Sequence, residues 1–306
     1  MRIATFNVQN LRLREDAGAP HFDGARDKIM PLSKLSAEAR ALDAADRALT
    51  ARLIADANAD VLALQEVFDQ RTLDAFHDAH LAPLGARYPH RICLPGNDGR
   101  RHVALMSRLP LEGVQSHAAL SYAAAGLTPP EGAEASAPVF RRDCLAAICG
   151  GVQLYVVHFK APADPMSLAV VRREACAVRT LIERRFADPA AAFWLILGDV
   201  NVNDVPSGHV LDVLTADFAH DLAAALPAPD RWTYFNAGSS SYARPDRMLA
   251  SPALAARCRA LEVRREGISR AAEAHAGPRL AGVGPIRPRA SDHALLLVDI
   301  DRPAAG

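Results

Sequence analysis

The sequence has no excess of charge of either sign. Lysine plus arginine number 35, aspartate plus glutamate number 35, and the formal net charge over 306 residues is zero. A protein that grips duplex nucleic acid with its whole surface usually carries a basic excess, so only a local basic patch is left open for such a role. Aromatic residues are scarce at 6 %, with two tryptophans, which leaves little material for extended base stacking. The five cysteines (Cys93, Cys144, Cys149, Cys176 and Cys258) form no CxxC pair and are odd in number. That argues against a zinc ribbon or a disulfide framework and suits small buried hydrophobes. No uninterrupted apolar run reaches bilayer length, and no basic-then-apolar leader precedes the strand-like residues 3–6. The expectation is a cytoplasmic protein that does not insert into membranes and shows no sign of an obligate protein partner.

What is present is core material, since half of the residues are apolar. A short strand over 2–8 ends in the polar residues Asn7, Gln9 and Asn10. Residues 12–36 read as a long polar loop, and loops of that length are often functional. Apolar residues at helical spacing predict a helix over 38–57, followed by a strand from Asp60 that ends in Gln65-Glu66 and a helix over 71–81. Strands are expected at 91–94, 102–107, 112–119, 139–149 and 153–158, with a Pro/Gly/Ala loop at 123–137. A long helix over 165–186 has Asp164 placed to cap it and Pro165 in its first turn. The apolar run 193–197 predicts a strand buried on both faces. Further strands are expected near 232–235, 246–250, 260–265 and 294–300, and a second long polar loop at 267–290. No repeat or linker divides the chain, so a single α/β domain over 1–306, built on two packed sheets, fits best.

One pattern recurs. A buried strand runs out and acids, amides or histidine follow at once: Phe6-Asn7, Gln65-Glu66, Val157-His158, Gly198-Asp199-Val200-Asn201 and Ser291-Asp292-His293. Each has a plain reading by itself. Glu66 can face water at a strand exit, Asn7 can be a turn residue, and His158 a satisfied strand-end histidine. Gly198 permits close backbone approach, and Asp199 and Asn201, two apart on extended chain, point the same way and offer hard oxygens suited to Mg²⁺. A carboxylate beside a core costs several kcal/mol unless paired or metal-bound, on the order of known burial penalties, so five such clusters suggest one shared site.

The order of these pieces along the chain is specific. Thr5-Phe6-Asn7-Val8, Leu64-Gln65-Glu66-Val67, Val103-Ala104-Leu105-Met106-Ser107-Arg108, Val156-Val157-His158-Phe159-Lys160, Gly198-Asp199-Val200-Asn201, Arg244-Pro245-Asp246-Arg247-Met248-Leu249 and Ser291-Asp292-His293 span nearly the whole sequence. In this arrangement the chain resembles the endonuclease/exonuclease/phosphatase superfamily, and the His-Phe-Lys segment resembles a bacterial nuclease-like subgroup. The resemblance implies the deoxyribonuclease-I-like fold, a four-layer α-β-β-α sandwich of two mainly antiparallel sheets. It implies hydrolysis of phosphoesters by an activated water with Mg²⁺ or Mn²⁺. By the same resemblance Glu66 is a principal metal ligand with Asn7 beside it, and Asp292 completes the acidic site. Asp199 orients or deprotonates the attacking water, and Asn201 supports the phosphate. His158 and His293 contact phosphate oxygens or move protons, and Asp246 holds His293 in the right tautomer. A cation that neutralises phosphate charge, with carboxylate and histidine handling protons near neutral pH, is consistent chemistry.

Two positions stay open. Arg142 sits near a basic position of relatives but has Arg141 beside it, and contact with phosphate or a sheet-edge charge fit equally. Lys160 reads equally as a phosphate contact or a solvated loop lysine. The mid-chain tyrosine that holds the scissile phosphate in exonuclease-III-like enzymes has no clear counterpart, because Tyr122 lies in an Ala-rich loop. A nuclease acting on DNA or RNA is therefore preferred narrowly over hydrolysis of a small or lipid-derived phosphoester. A catalytically silent binding module is the third reading, and it would show as loss of a key residue.

Overall fold

Alternation of side chains along a strand gives two faces, and in this protein both faces of two sheets are covered by apolar residues. The computed structural model describes residues 1–16, 18–28, 30–203 and 209–301. The strands in the first half are β1 (Arg2–Leu11), β2 (Leu13–Asp16), β3 (Ala19–Phe22), β4 (Val61–Val67), β5 (His90–Cys93), β6 (His102–Ser107) and β7 (Glu112–Ser116). Those of the second half are β8 (Cys144–Cys149), β9 (Val152–His158), β10 (Trp194–Asp199), β11 (His220–Asp221), β12 (Tyr234–Asn236), β13 (Ser241–Ala243), β14 (Asp246–Ala250), β15 (Cys258–Arg264) and β16 (Leu295–Ile300). The helices that matter are α1 (Ala37–Ala57), α2 (Gln70–Phe76), α3 (Tyr122–Ala125) and α4 (Pro165–Arg185).

One six-stranded sheet has the order β15-β16-β1-β4-β6-β5, the other β11-β14-β10-β9-β8-β7. Each contains a single parallel pair at its centre, β1 with β4 and β9 with β10, and its other pairings are antiparallel. A parallel pair needs a crossover, and helices supply it: α1 joins β1 to β4, and α4 joins β9 to β10. Ile3, Ala63, Leu105, Leu154, Leu195 and Met248 fill the space between the sheets. The opposite rows pack outward, Phe6 and Leu64 against Leu53 and Phe76, and Val157 and Ile196 against Val171 and Val178. The result is the expected α-β-β-α sandwich. Each fully buried side chain of this kind contributes about 1.5–3 kcal/mol.

Both crossover helices start on capped ends. The Ser36 side chain accepts from the Ala39 amide, and Asp164 and Ser167 form a reciprocal box ahead of Pro165. The helix expected over 71–81 is α2 followed by one wider turn, His77–Leu81. Three expectations are corrected. Residues 12–36 are not a bare loop, since β2 and β3 form a hairpin there. The strand expected over 112–119 ends at Ser116, where the His117 amide turns to Asp143 Oδ1 and the Cys144 carbonyl. The strand expected over 139–149 begins only at Cys144. Val139 and Phe140 are buried apolar residues, which explains the expectation, but the main chain at 141 and 142 bonds to Glu174 and Asn97 rather than to a neighbouring strand.

Candidate active site

Beyond the last apolar layer between the sheets, the next inward position on four strands is polar. The row Ile3 and Thr5 continues to Asn7; Leu154 and Val156 continue to His158; Leu195 and Leu197 continue to Asp199. On β14, which runs the other way, Ala250 and Met248 lead back to Asp246. Register makes them neighbours, because Asp199 pairs with His158 on one side and with Asp246 on the other. Gly198 is required for this approach. Its φ is +138°, and a Cβ there would lie 2.0 Å from the Val157 carbonyl oxygen.

All four groups are buried, so their partners decide their charge. Asn7 Nδ2 donates to Asp199 Oδ2 at 3.0 Å, and the Asn201 amide donates to Asp199 Oδ1 at 2.8 Å. His293 lies just before β16 and pairs through Nδ1 with Asp246 Oδ2 at 2.8 Å. The Thr233 hydroxyl donates to the same oxygen at 2.6 Å. His293 Nε2 lies 4.0 Å from Asp199 Oδ2, and the Tyr234 ring packs against the imidazole at 4.9 Å between centroids. Burial alone would strip the proton from His293. The carboxylates of Asp246, Asp199 and Asp292 outweigh it and push its pKa up to about 10. Burial pushes Asp199 up to about 6 against the opposing pull of His293, and it does the same for Asp292.

His158 Nε2 lies 3.5 Å from Asp199 Oδ2, within ion-pair distance. Burial and the positive neighbours Arg142, His293 and Arg101 hold its pKa well below the usual histidine value. The ring is therefore neutral and the contact is not an ion pair. Its Nδ1 is buried without a partner.

Glu66 comes from a different device. Strand parity would turn it towards α1, but the register with both neighbouring strands shifts between Gln65 and Val67, and Glu66 has φ +66°. Its Oε2 accepts the Asn10 amide at 2.9 Å and lies 3.7 Å from Arg101 Nε. Gln9, Asn10, Glu66 and Asn201 all have positive φ and all border this site. Such backbone costs about 1–3 kcal/mol per residue and persists only where surrounding structure holds it.

Asp292 joins the site through Gln9, whose Nε2 donates to Asp292 Oδ2 at 2.7 Å and to Asp27 Oδ1 at 3.2 Å. Arg289 Nη2 lies 3.6 Å from the same Asp292 oxygen. Arg142 is buried; its Nη1 donates to the Phe159 carbonyl at 2.5 Å, and Asn201 Nδ2 donates to that carbonyl at 2.9 Å. Arg141 is exposed, so of the adjacent pair it is Arg142 that turns to the site. Lys160 is half-buried; its amide, bonded to Glu174 at 2.8 Å, is the part that is fixed. Tyr122 is fully buried in the outer core against α4.

Sequence reasoning overlooked Arg101, Thr233 and Tyr234 as site residues and assigned no role to Gln9, Asn10, Ser291 or Arg289. Ser291 donates to the Asn7 carbonyl at 2.7 Å and accepts the His293 amide at 3.1 Å, so it fixes how Asp292 and His293 leave the loop. The polar run after Asn7 was the available signal for Gln9 and Asn10, whereas Thr233 carried none.

Among the described residues, two groups of acids and histidine bring ligand atoms within 4.8 Å of one another. One is Asp199, Asp246 and His293. Its Asp246 and His293 atoms are engaged with each other, which suits proton handling. The other is His21, Asp23 and Asp43, where guanidinium groups of Arg14, Arg26 and Arg287 already neutralise the carboxylates. Glu66 belongs to neither group. The Asn10 amide orients its carboxylate through one oxygen and leaves the other, Oε1, for a hard cation.

The model of the Endonuclease/Exonuclease/phosphatase family matches residues 4–293. The chain belongs to that family. It is accordingly a metal-dependent phosphoester hydrolase of the nuclease and phosphatase class. Solved structures share the family's deoxyribonuclease-I-like fold. A 3'-5' exonuclease from Neisseria meningitidis is 20 % identical with a TM-score of 0.58, covering 98 % of this chain and all of that one. An AP endonuclease from Archaeoglobus fulgidus is 16 % identical with a TM-score of 0.56, covering 98 % and 99 %. Truncated Caenorhabditis elegans TDP2 is 15 % identical with a TM-score of 0.57, covering 97 % and 95 %. No curated protein sequence matches the chain. No helix among the described residues is long and apolar enough to cross a membrane.

Proposed function

We propose that this family member is a nuclease-type phosphodiesterase, that residues 1–306 act as one unit, and that Mg²⁺ or Mn²⁺ is its ion. The observation that carries the reading is the cluster of Asn7, His158, Asp199, Asp246 and His293 in mutual contact, with Asp292 and Glu66 tied to its edge through Gln9 and Asn10. Glu66 would hold the cation with Asn7 and Asp292, and the donor set is hard oxygen throughout. When bound, the ion screens the negative charge of the phosphate and lowers the pKa of water in contact with it.

The remaining roles belong to the chain's own groups. Asp199, ionised above about pH 6, takes the proton from the attacking water, and Asn7 and Asn201 hold its two oxygens. His293 stays protonated up to about pH 10 and offers its Nε2 proton to a phosphate oxygen. Asp246 fixes the tautomer and orientation by binding Nδ1. Two groups whose environments push their pKa values apart make a natural acid–base pair. His158 hydrogen-bonds a non-bridging oxygen, and Asn201, Arg142 and Lys160 support the phosphate.

For the substrate we favour DNA or RNA, because a solved relative of the same fold is described as a 3' phosphatase bound to a product DNA hairpin and another as an AP endonuclease. The test is a Mg²⁺ panel of plasmid DNA, single-stranded DNA, RNA, nucleotides, sphingomyelin and inositol phosphates. Cleavage of nucleic acid that weakens steeply with salt supports the reading. Turnover confined to the small or lipid phosphoesters contradicts it.

A further inference from the structure

The two crossover helices are counterparts. Each has 21 residues and each joins the parallel pair of its sheet. Near the middle of each sits a fully buried ionisable side chain that binds main chain: Arg47 on α1, beside the equally buried Asp43 and Asp46, and Glu174 on α4. Arg47 donates to five carbonyls: Val8 at 2.7 Å, Gln9 at 2.8 Å, Asn10 at 3.1 Å, Asp23 at 2.5 Å and Gly24 at 3.0 Å. Glu174 accepts the amides of Arg141 and Lys160, one on each oxygen, both at 2.8 Å.

A guanidinium has only donors and a carboxylate only acceptors, so each ion selects the complementary side of the peptide group. Arg47 gathers three successive carbonyls of a turn in which Gln9 and Asn10 have φ +47° and +54°. That turn is what aims the Asn10 amide at Glu66 and the Gln9 side chain at Asp292. Glu174 staples residue 141 to residue 160, the segments that deliver Arg142, Lys160 and the Phe159 carbonyl on which Arg142 and Asn201 rest.

We propose that Arg47 and Glu174 are positioning residues that set the two halves of the site separately: Arg47 the Glu66–Asp292 half, and Glu174 the half formed by His158, Arg142 and Lys160. The proposal rests on the division of roles given under Proposed function. Burial raises the Glu174 carboxyl to about 7, while the two amides oppose that rise, as expected for a carboxylate held for its acceptors.

The test compares wild type, Arg47→Lys, Glu174→Gln and the double variant, with Arg47→Gln and Glu174→Asp alongside in case a first choice does not fold. Lysine cannot span both turns, and glutamine sets an NH₂ against one of the two amides. Mn²⁺ binding is read by electron paramagnetic resonance, and KM is read for bis(p-nitrophenyl) phosphate at saturating Mn²⁺. Arg47→Lys should weaken Mn²⁺ binding by about 10-fold or more, with KM within about 3-fold of wild type. Glu174→Gln should raise KM by about 10-fold or more, with Mn²⁺ affinity within about 3-fold. The double variant should show both changes additively. Variants that leave both quantities unchanged, or that move both together, overturn the proposal alone. A wild type that neither binds Mn²⁺ nor hydrolyses the diester overturns the functional reading, and the proposal with it.

Discussion

Replacing Asp246 by asparagine keeps the size and a carbonyl acceptor for His293 Nδ1 but removes a charge 2.8 Å away. His293 holds its proton to about pH 10 rather than the ordinary 6.5. That difference corresponds to about 5 kcal/mol in favour of the imidazolium, net of a burial effect of the opposite sign. Asp246 is the leading carboxylate in that balance, ahead of Asp199 and Asp292. In Asp246→Asn the His293 pKa should therefore fall back towards the neutral range, and turnover near pH 8 should drop by ~10²-fold or more. Stability should change as well. In wild type the contribution of the charged ring is full below about 6.5 and is lost as pH rises through about 10, so the variant should show a flatter alkaline arm. The assay is histidine-resolved NMR titration beside kcat measured across pH, with denaturant unfolding at matched pH values. A His293 titration unmoved from about 10, or a turnover within ~3-fold of wild type, would show that Asp246 does not hold the His293 proton for turnover.

The Asp199 carboxyl, raised to about 6, should give kcat/KM an acid limb that falls as pH drops below that value, and Asp199→Asn should abolish the limb together with most activity. Glu66→Gln should weaken Mn²⁺ binding and activity in step, read by metal titration and rate; a fall in rate at unchanged affinity would remove Glu66 from the ion site. Gly198→Ala should cost more than about 2 kcal/mol in denaturant unfolding, because the new methyl meets the Val157 carbonyl in a backbone region closed to alanine. Thr233→Val removes two hydrogen bonds with Asp246, the one the hydroxyl donates to Oδ2 and the one it accepts from the Asp246 amide, and should cost about 1–3 kcal/mol of stability, with a smaller loss of turnover than Asp246→Asn.

Much of this architecture could be read from the residues. The periodicity of 38–57 and 165–186 located both crossover helices to within a residue. The polar residues at strand ends identified Asn7, His158 and Asp199, because strand parity carries a core row directly into the site. Glu66 obeys no parity. Its place depends on a bulge and a positive φ that nothing in Leu64-Gln65-Glu66-Val67 announces. The β2–β3 hairpin leaves no pattern in the sequence, because its described side chains are exposed or half-exposed and do not alternate. Residues 139–143 read as strand because buried Val139 and Phe140 look alike in a sheet or beside one. Arg47 was invisible for a related reason, since arginine in an alanine-rich helix usually faces water. Only the three-dimensional arrangement shows five carbonyls around it.

The most direct test of phosphoester hydrolysis at this site is the rate of diester cleavage by purified wild type in excess chelator, then with Mg²⁺ or Mn²⁺ restored, with Glu66→Gln run in parallel. No cleavage is expected in chelator, with recovery by either ion and a Glu66→Gln curve displaced to higher metal concentration. Full activity in chelator, or a variant indistinguishable from wild type at every metal concentration, would remove the metal and Glu66 from the reaction.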